Sequence, residues 1–287
     1  MTGGRFVSTY NSVMDSSLFR RQVAVPQDHG SWVFILSPLL IGLFAGKSFS
    51  PASLSLVAAA MAAFLIRQPV TMAVKAYSGR RPRTDLPAAR FWMIFYGVIV
   101  LLALAELVAR GYLYILYLAV PGVPVFAWHL WLVSRREERR QAGVEILATG
   151  VLSLAAPAAF WVGLGYYDPQ GWWLWLLAWL QSAASIVYAY LRLEQRTWKS
   201  IPDRADRFQA GRRSMAYTSF NLLLTLGLGS VAGVLPMWIF VPYAVQWLEV
   251  RWGIENPAIG WKPTKVGVRQ LIVSTVWTLL FIVFWRL

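Results

Sequence analysis

The sequence predicts an all-α, polytopic membrane protein, and three observations carry that reading. Apolar side chains make up 57% of the 287 residues and charged ones 14%, against roughly 45–50% and about 25% in soluble domains. Apolar stretches of spanning length recur along the whole chain. Basic residues gather in every second connection between them. Mean hydropathy is +0.51, and a water-soluble fold of this size has too little interior to hide so much apolar surface. Soluble enzymes and disordered proteins are excluded on that ground.

A spanning helix needs about 20 mostly apolar residues, roughly 17–25. Residues 1–28 are polar and mixed, without the apolar stretch of a cleavable signal peptide. They read as an N-terminal cytoplasmic segment ahead of a transmembrane domain over residues 29–287. Helices 1 and 2 are expected over 32–46 and 51–66. Both are short, and they reach full length if the first begins near Asp28 and the second runs past Pro69 towards Tyr77. Helices 3 to 6 follow at 91–109, 112–133, 144–165 and 172–191. One long apolar run supplies helices 7 and 8, at 215–234 and 235–250, divided at residues 233–236 because Gly and Pro interrupt helices. Helix 9 covers 268–285. Nine crossings result.

The charges test that count independently. Of 27 Lys and Arg, 24 fall in segments 1–31, 67–90, 134–143, 192–214 and 251–269, and the alternate connections hold only Lys47, Arg110 and Arg286. The positive-inside rule then places the N-terminus in the cytoplasm and the C-terminus outside a bacterial inner membrane. The net charge of +14 suits anionic lipid. Nucleic acid is not an expected partner, since Glu137 and Glu138 interrupt the densest arginine run.

Two connections resemble each other. The 24-residue segment after helix 2 opens on Arg67 and closes on Arg90, and the 22-residue segment after helix 6 opens on Arg192 and closes on Arg213. Helices 1–4 and 5–8 therefore read as two parallel halves with helix 9 appended, and repeats in membrane folds commonly frame a central site.

There is no Cys and there are two His, which excludes disulfides, Fe–S clusters and thiolate zinc sites and leaves too few ligands for a His-rich metal centre. Ionisable groups within spans are costly and are functional candidates by default. Those expected on the cytoplasmic half are His29 entering helix 1, Arg67 and Gln68 after helix 2, His129 near the end of helix 4, Glu145 opening helix 5, Arg192 after helix 6, Asn221 in helix 7, and Gln246 with Glu249 at the end of helix 8. Two arginines at matching positions suit a lipid phosphate, a carboxylate or a quinone oxygen, bound without metal. Snorkelling to headgroups explains the same arginines, helix-terminal capping explains Asp28 and Glu145, and Glu106 four residues before Arg110 reads as a rim ion pair. Most of the 16 Trp fall near helix ends, as an interfacial belt requires, although aromatic spans also suit quinones or pigments.

The run Pro26-Gln27-Asp28-His29-Gly30-Ser31-Trp32, leading into Leu36-Ser37-Pro38-Leu39-Leu40-Ile41-Gly42, resembles the YwiC-like family of bacterial membrane proteins. Arg67-Gln68-Pro69 is similar to that family as well. The layout more remotely resembles the UbiA superfamily of intramembrane prenyltransferases, which implies a UbiA-like bundle with long cytoplasmic loops after helices 2 and 6. Those enzymes place Asp-rich Mg²⁺ motifs in both loops. Here no carboxylate follows Arg67 before Asp85, and the second region offers only Asp203 and Asp206 among arginines, with Asp203 spaced to pair with Arg207. No Mg²⁺ site is expected, and fold alone never implies function. The expected role is a non-catalytic accessory subunit of a membrane energy-converting complex, with membrane lipids and other membrane subunits as partners and a bound lipid, quinone or pigment. A UbiA-type prenyl- or lipid-modifying enzyme and a transporter are the alternatives.

Overall fold

The computed structural model describes residues 20–26, 29–135 and 142–287. The expected N-terminal segment up to residue 19, Gln27 and Asp28, and the arginine-rich stretch 136–140 lie outside the described residues. The described chain is helical. A single turn, α1 (Arg21–Ala24), precedes α2 (His29–Ala45), α3 (Pro51–Tyr77), α4 (Leu86–Ala109) and α5 (Ala119–Arg135). Then come α6 (Ala142–Leu152), α7 (Ala155–Leu164), α8 (Gln170–Gln195), α9 (Arg204–Leu226), α10 (Phe240–Glu255) and α11 (Pro263–Arg286). Six helical stretches among the described residues, 51–77, 83–109, 113–135, 142–164, 170–195 and 263–286, are long and apolar enough to cross a membrane, and α2 is a shorter apolar helix. The chain is a multi-pass helical membrane protein.

Local chemistry explains where helices depart from the expected bounds. Expected helix 5 is broken into α6 and α7 around Ser153 and Leu154. Pro157 lacks an N–H and its ring crowds the carbonyl four residues back, at Ser153. Tighter turns take over there, with the Ala156 N–H on the Ser153 oxygen at 3.0 Å, and the Ser153 hydroxyl bonds the Thr149 oxygen at 2.8 Å. Expected helix 4 begins instead as a 3-10 stretch, Leu113–Leu118, and continues as the α-helix Ala119–Arg135 with Pro124 inside it. Helix α7 closes on Gly165 at φ 83°, the left-handed position that favours glycine.

The two long loops are largely helical. Helix α3 runs through Pro69 to Tyr77, and α8 runs past Arg192 to Gln195. The connections that remain, between Tyr77 and Leu86 and between Gln195 and Arg204, are each eight residues long.

The chain falls into two compact units, residues 1–28 with 51–140 and residues 29–50 with 141–287. These differ from the two four-helix halves that the loops suggested, because α2 packs with α7 and α11 in the second unit. The reason is small residues. A Cβ on Gly42 would fall on the Ala156 carbonyl oxygen, and Gly46 meets Gly163 backbone to backbone, so α2 fits α7 at a distance that larger side chains would prevent.

In the first unit, Met72, Ala73 and Ala76 of α3 pack on Leu86, Ala88 and Ala89 and on Val23 of α1. Polar bonds hold α1 in place. The Tyr96 hydroxyl donates to the Ala24 oxygen at 3.1 Å, and Arg20 and Arg81 both reach the Asp85 carboxylate, at 2.9 and 3.0 Å. In the second unit, Tyr188, Leu191, Val250 and Ile254 form a buried cluster against Phe208 and Met215.

Candidate functional site

Among the described residues, a charged cluster forms where the C-terminal turns of α8 and α10 meet the start of α11. Arg192 is at its centre, with a relative exposure of 1%. Its Nη1 donates to the Gln195 Oε1 at 2.8 Å, the Gly253 carbonyl at 2.7 Å and the Asn256 carbonyl at 2.8 Å. Those carbonyls belong to the end of α10, where the last oxygens lack partners within the helix and carry partial negative charge. Arg192 therefore caps α10 from a neighbouring helix. Trp261, Trp252 and Tyr188 surround the guanidinium, with ring centroids 4.9, 5.7 and 5.9 Å away, which supplies cation–π attraction in place of water. Gln195 completes the lock, donating to the Gly253 oxygen at 3.1 Å and accepting from the Ala258 N–H at 3.3 Å. A Cβ on Gly253 would strike the Tyr188 hydroxyl, so glycine lets α10 approach α8 here.

Glu249 lies one turn earlier on α10 and accepts both arms of Arg269, at 2.6 and 2.7 Å. The Tyr188 hydroxyl donates to the same carboxylate at 3.0 Å, and Arg269 stacks over Trp252 at 3.8 Å. A two-armed bond of this kind is among the stronger pairings available to a carboxylate. Further out, Arg207 donates to the Glu255 carbonyl at 2.7 Å. Arg207 thus serves the end of α10, where the sequence spacing had pointed to Asp203.

Beside this cluster runs a second kind of polarity. Gln246 donates to the Gln181 carbonyl and the Ser185 hydroxyl, both at 3.1 Å, and Asn221 donates to the Leu180 carbonyl at 2.9 Å. The side-chain oxygens of Gln246 and Asn221, and Nη2 of Arg192, are buried without a hydrogen-bond partner.

The remaining candidates fall elsewhere. Glu145, in the first turn of α6, accepts from the Tyr190 hydroxyl at 2.8 Å. Arg67 is half-buried on α3, its guanidinium 5.1 Å from the Phe64 centroid, and Gln68 donates to the Gln22 carbonyl at 2.9 Å. His129 is half-buried on α5. His29 opens α2, but its side chain is outside the described residues. Arg67, Gln68 and His129 thus belong to the first unit, and Arg192, Glu145, Asn221, Gln246 and Glu249 to the second.

Sequence reasoning missed Arg269, Gln195 and the aromatic enclosure of Arg192. Their signal was present in spacing: Tyr188 and Gln195 lie four residues before and three after Arg192, on one helical face. It also missed a recurring use of arginine, since Arg80 caps Val133 at the end of α5 and Arg286 caps Phe44 at the end of α2.

Among the described residues, no group of three or more His, Cys, Asp or Glu is arranged to hold a metal ion. Asp203 and Asp206 are exposed at the start of α9, where acidic side chains complement the helix dipole.

Residues 25–160 match the family model described as YwiC-like protein. The chain is also 26% identical, over 176 residues, to "Uncharacterized protein YwiC" of Bacillus subtilis (strain 168), a match covering 60% of this chain and 68% of that protein. No solved structure matches.

Proposed function

We propose, starting from the match of residues 25–160 to the YwiC-like family model, that the chain is a non-catalytic accessory subunit of a membrane energy-converting complex, respiratory or photosynthetic, that binds lipid, quinone or pigment. In this reading the chain crosses the bacterial inner membrane nine times, N-terminus inside and C-terminus outside, in a UbiA-like bundle. The carrying observation is how its carboxylates are used. Asp85, Glu106, Asp168 and Glu249 are the described carboxylates that are not exposed. Asp85 is held by two arginines, Glu106 by Arg110, Asp168 by the Gln170 N–H at the head of α8, and Glu249 by Arg269 and Tyr188. A general acid or base must be able to exchange its proton with a substrate, and carboxylates fixed in this way serve packing instead. Large apolar residues also stand exposed along α4, among them Phe91, Ile94, Phe95, Val98, Leu101 and Leu102. Such a face suits lipid or an adjoining membrane subunit.

Affinity purification from native membranes, followed by mass spectrometry of protein and lipid together, tests this. Subunits of one energy-converting complex should copurify with the chain. Mg²⁺-dependent release of pyrophosphate from an allylic diphosphate by the purified protein, lost in Asp203→Ala or Asp206→Ala, would replace this reading with the prenyltransferase one. Solute flux into proteoliposomes would replace it with a transporter.

A further inference from the structure

The loop after α10 and the first turns of α11 line a shallow, open cleft of about 790 Å³, with Trp261, Lys262, Lys265, Val268, Arg269 and Ile272 among its residues. Three cations and no carboxylate line it. Glu249 holds Arg269 through both arms and offsets that charge, which leaves the two lysines as free positive charge at the mouth. Lys265 is placed by Trp261, its Nζ 4.2 Å from the ring centroid.

Below the mouth the same helix presents an unpartnered apolar strip. Val268, Ile272, Val276, Leu279 and Val283 are 55, 57, 41, 59 and 53% exposed, and their spacing sets them on one helical face. From Val268 to Leu279 the helix rises about 16 Å at ~1.5 Å per residue, close to half of a hydrocarbon core about 30 Å thick. A cationic mouth above an apolar strip one leaflet deep matches a molecule with an anionic head and a long chain. A soluble anion would use the lysines and leave the strip bare.

We propose that this cleft binds one anionic phospholipid, its phosphate between Lys262 and Lys265 and an acyl chain along Val268, Ile272, Val276 and Leu279. The site rests on the lipid-binding part of the function proposed above, and gives that lipid a place apart from Arg67 and Arg192. Lysine suits the task, because three rotatable donors on a flexible stem follow a mobile phosphate better than a fixed fork does.

The test uses the full chain purified in detergent and titrated with phosphatidylglycerol or phosphatidylcholine of equal chain length, read by native mass spectrometry. Phosphatidylglycerol should be retained in preference to phosphatidylcholine. Replacing both lysines, in Lys262→Glu with Lys265→Glu, should weaken its retention about tenfold or more, since each basic residue near an anionic headgroup contributes appreciably. The milder Lys262→Gln with Lys265→Gln should give a smaller loss at an unchanged thermal midpoint, which separates lost binding from lost folding. Equal retention of the two lipids, or unchanged retention in both double variants, overturns the proposal. So does displacement of the lipid by glycerol 1-phosphate at comparable concentration, which would mark a site for free phosphate. Copurifying membrane subunits are scored on the same variants and bear only on the accessory-subunit reading, so either idea can fail while the other stands.

Discussion

Arg192 shows what a buried cation does in this protein. One Nη1 satisfies three oxygens, two of them the terminal carbonyls of α10. Replacing it in Arg192→Ala leaves the Asn256 carbonyl unmet and the Gly253 carbonyl with Gln195 as its remaining donor, and charge-assisted hydrogen bonds contribute about 1.5–3 kcal/mol each. The expected loss is roughly 3 kcal/mol, read as a lower thermal midpoint in detergent, with faster hydrogen exchange confined first to the last turn of α10. Arg192→Lys should recover only part of it, because a point charge cannot replace a planar fork stacked among aromatic rings. Equal stability of all three proteins would contradict the capping role. Glu249 and Arg269 form the neighbouring test. Their side chains are 11 and 34% exposed, so water screens the pair only in part. A double-mutant cycle with Glu249→Gln and Arg269→Gln should give a coupling of about 1–2 kcal/mol. A coupling indistinguishable from zero would make the bond incidental.

At the scale of elements, glycine placement decides which helices meet. Gly42 sits where a Cβ would strike the Ala156 backbone oxygen, an atom that cannot step aside, whereas Gly97 in α4 has only the end of Ile66 at 3.9 Å. Gly42→Ala should therefore destabilise by about 1–3 kcal/mol through overpacking. Gly97→Ala should be neutral or stabilise by up to about 1 kcal/mol, from helix propensity. The reverse order in thermal midpoints would refute the α2–α7 contact.

The same scale shows what was legible in the sequence. Apolar runs located six helical stretches of spanning length among the described residues, because a membrane-spanning helix declares itself by length and composition alone. Pro157 marked the break in expected helix 5, yet its consequence depends on which carbonyls and neighbours are near. The partner of α2 was not legible. Gly42 and Gly46 read as ordinary small residues until Ala156 and Gly163 lie against them, and parallel loops suggested a different grouping. For the candidate site, Arg192 and Glu249 were visible as costly charges in apolar surroundings. Their partners were not, since Gly253, Asn256 and Trp261 act through position and backbone oxygen, which composition does not report.

For the whole molecule, the governing quantity is the distribution of charge along the chain. Twenty-four of 27 basic residues fall in alternate segments, and only Lys47, Arg110 and Arg286 fall between. Structural capping accounts for some of the 24, Arg192 and Arg207 among them, but it gives no reason for so uneven a split. The proposed placement of those segments against an anionic cytoplasmic leaflet does. The chain has no Cys of its own, so single cysteines report cleanly on which side a segment lies. Cysteines placed at Ser78, Ser200 and Lys47 in intact cells, challenged with a membrane-impermeant thiol reagent from the periplasmic side, test the threading most directly. The account predicts labelling at position 47 and none at 78 or 200 until the membrane is opened. Labelling at 78 or 200 in sealed cells would contradict it.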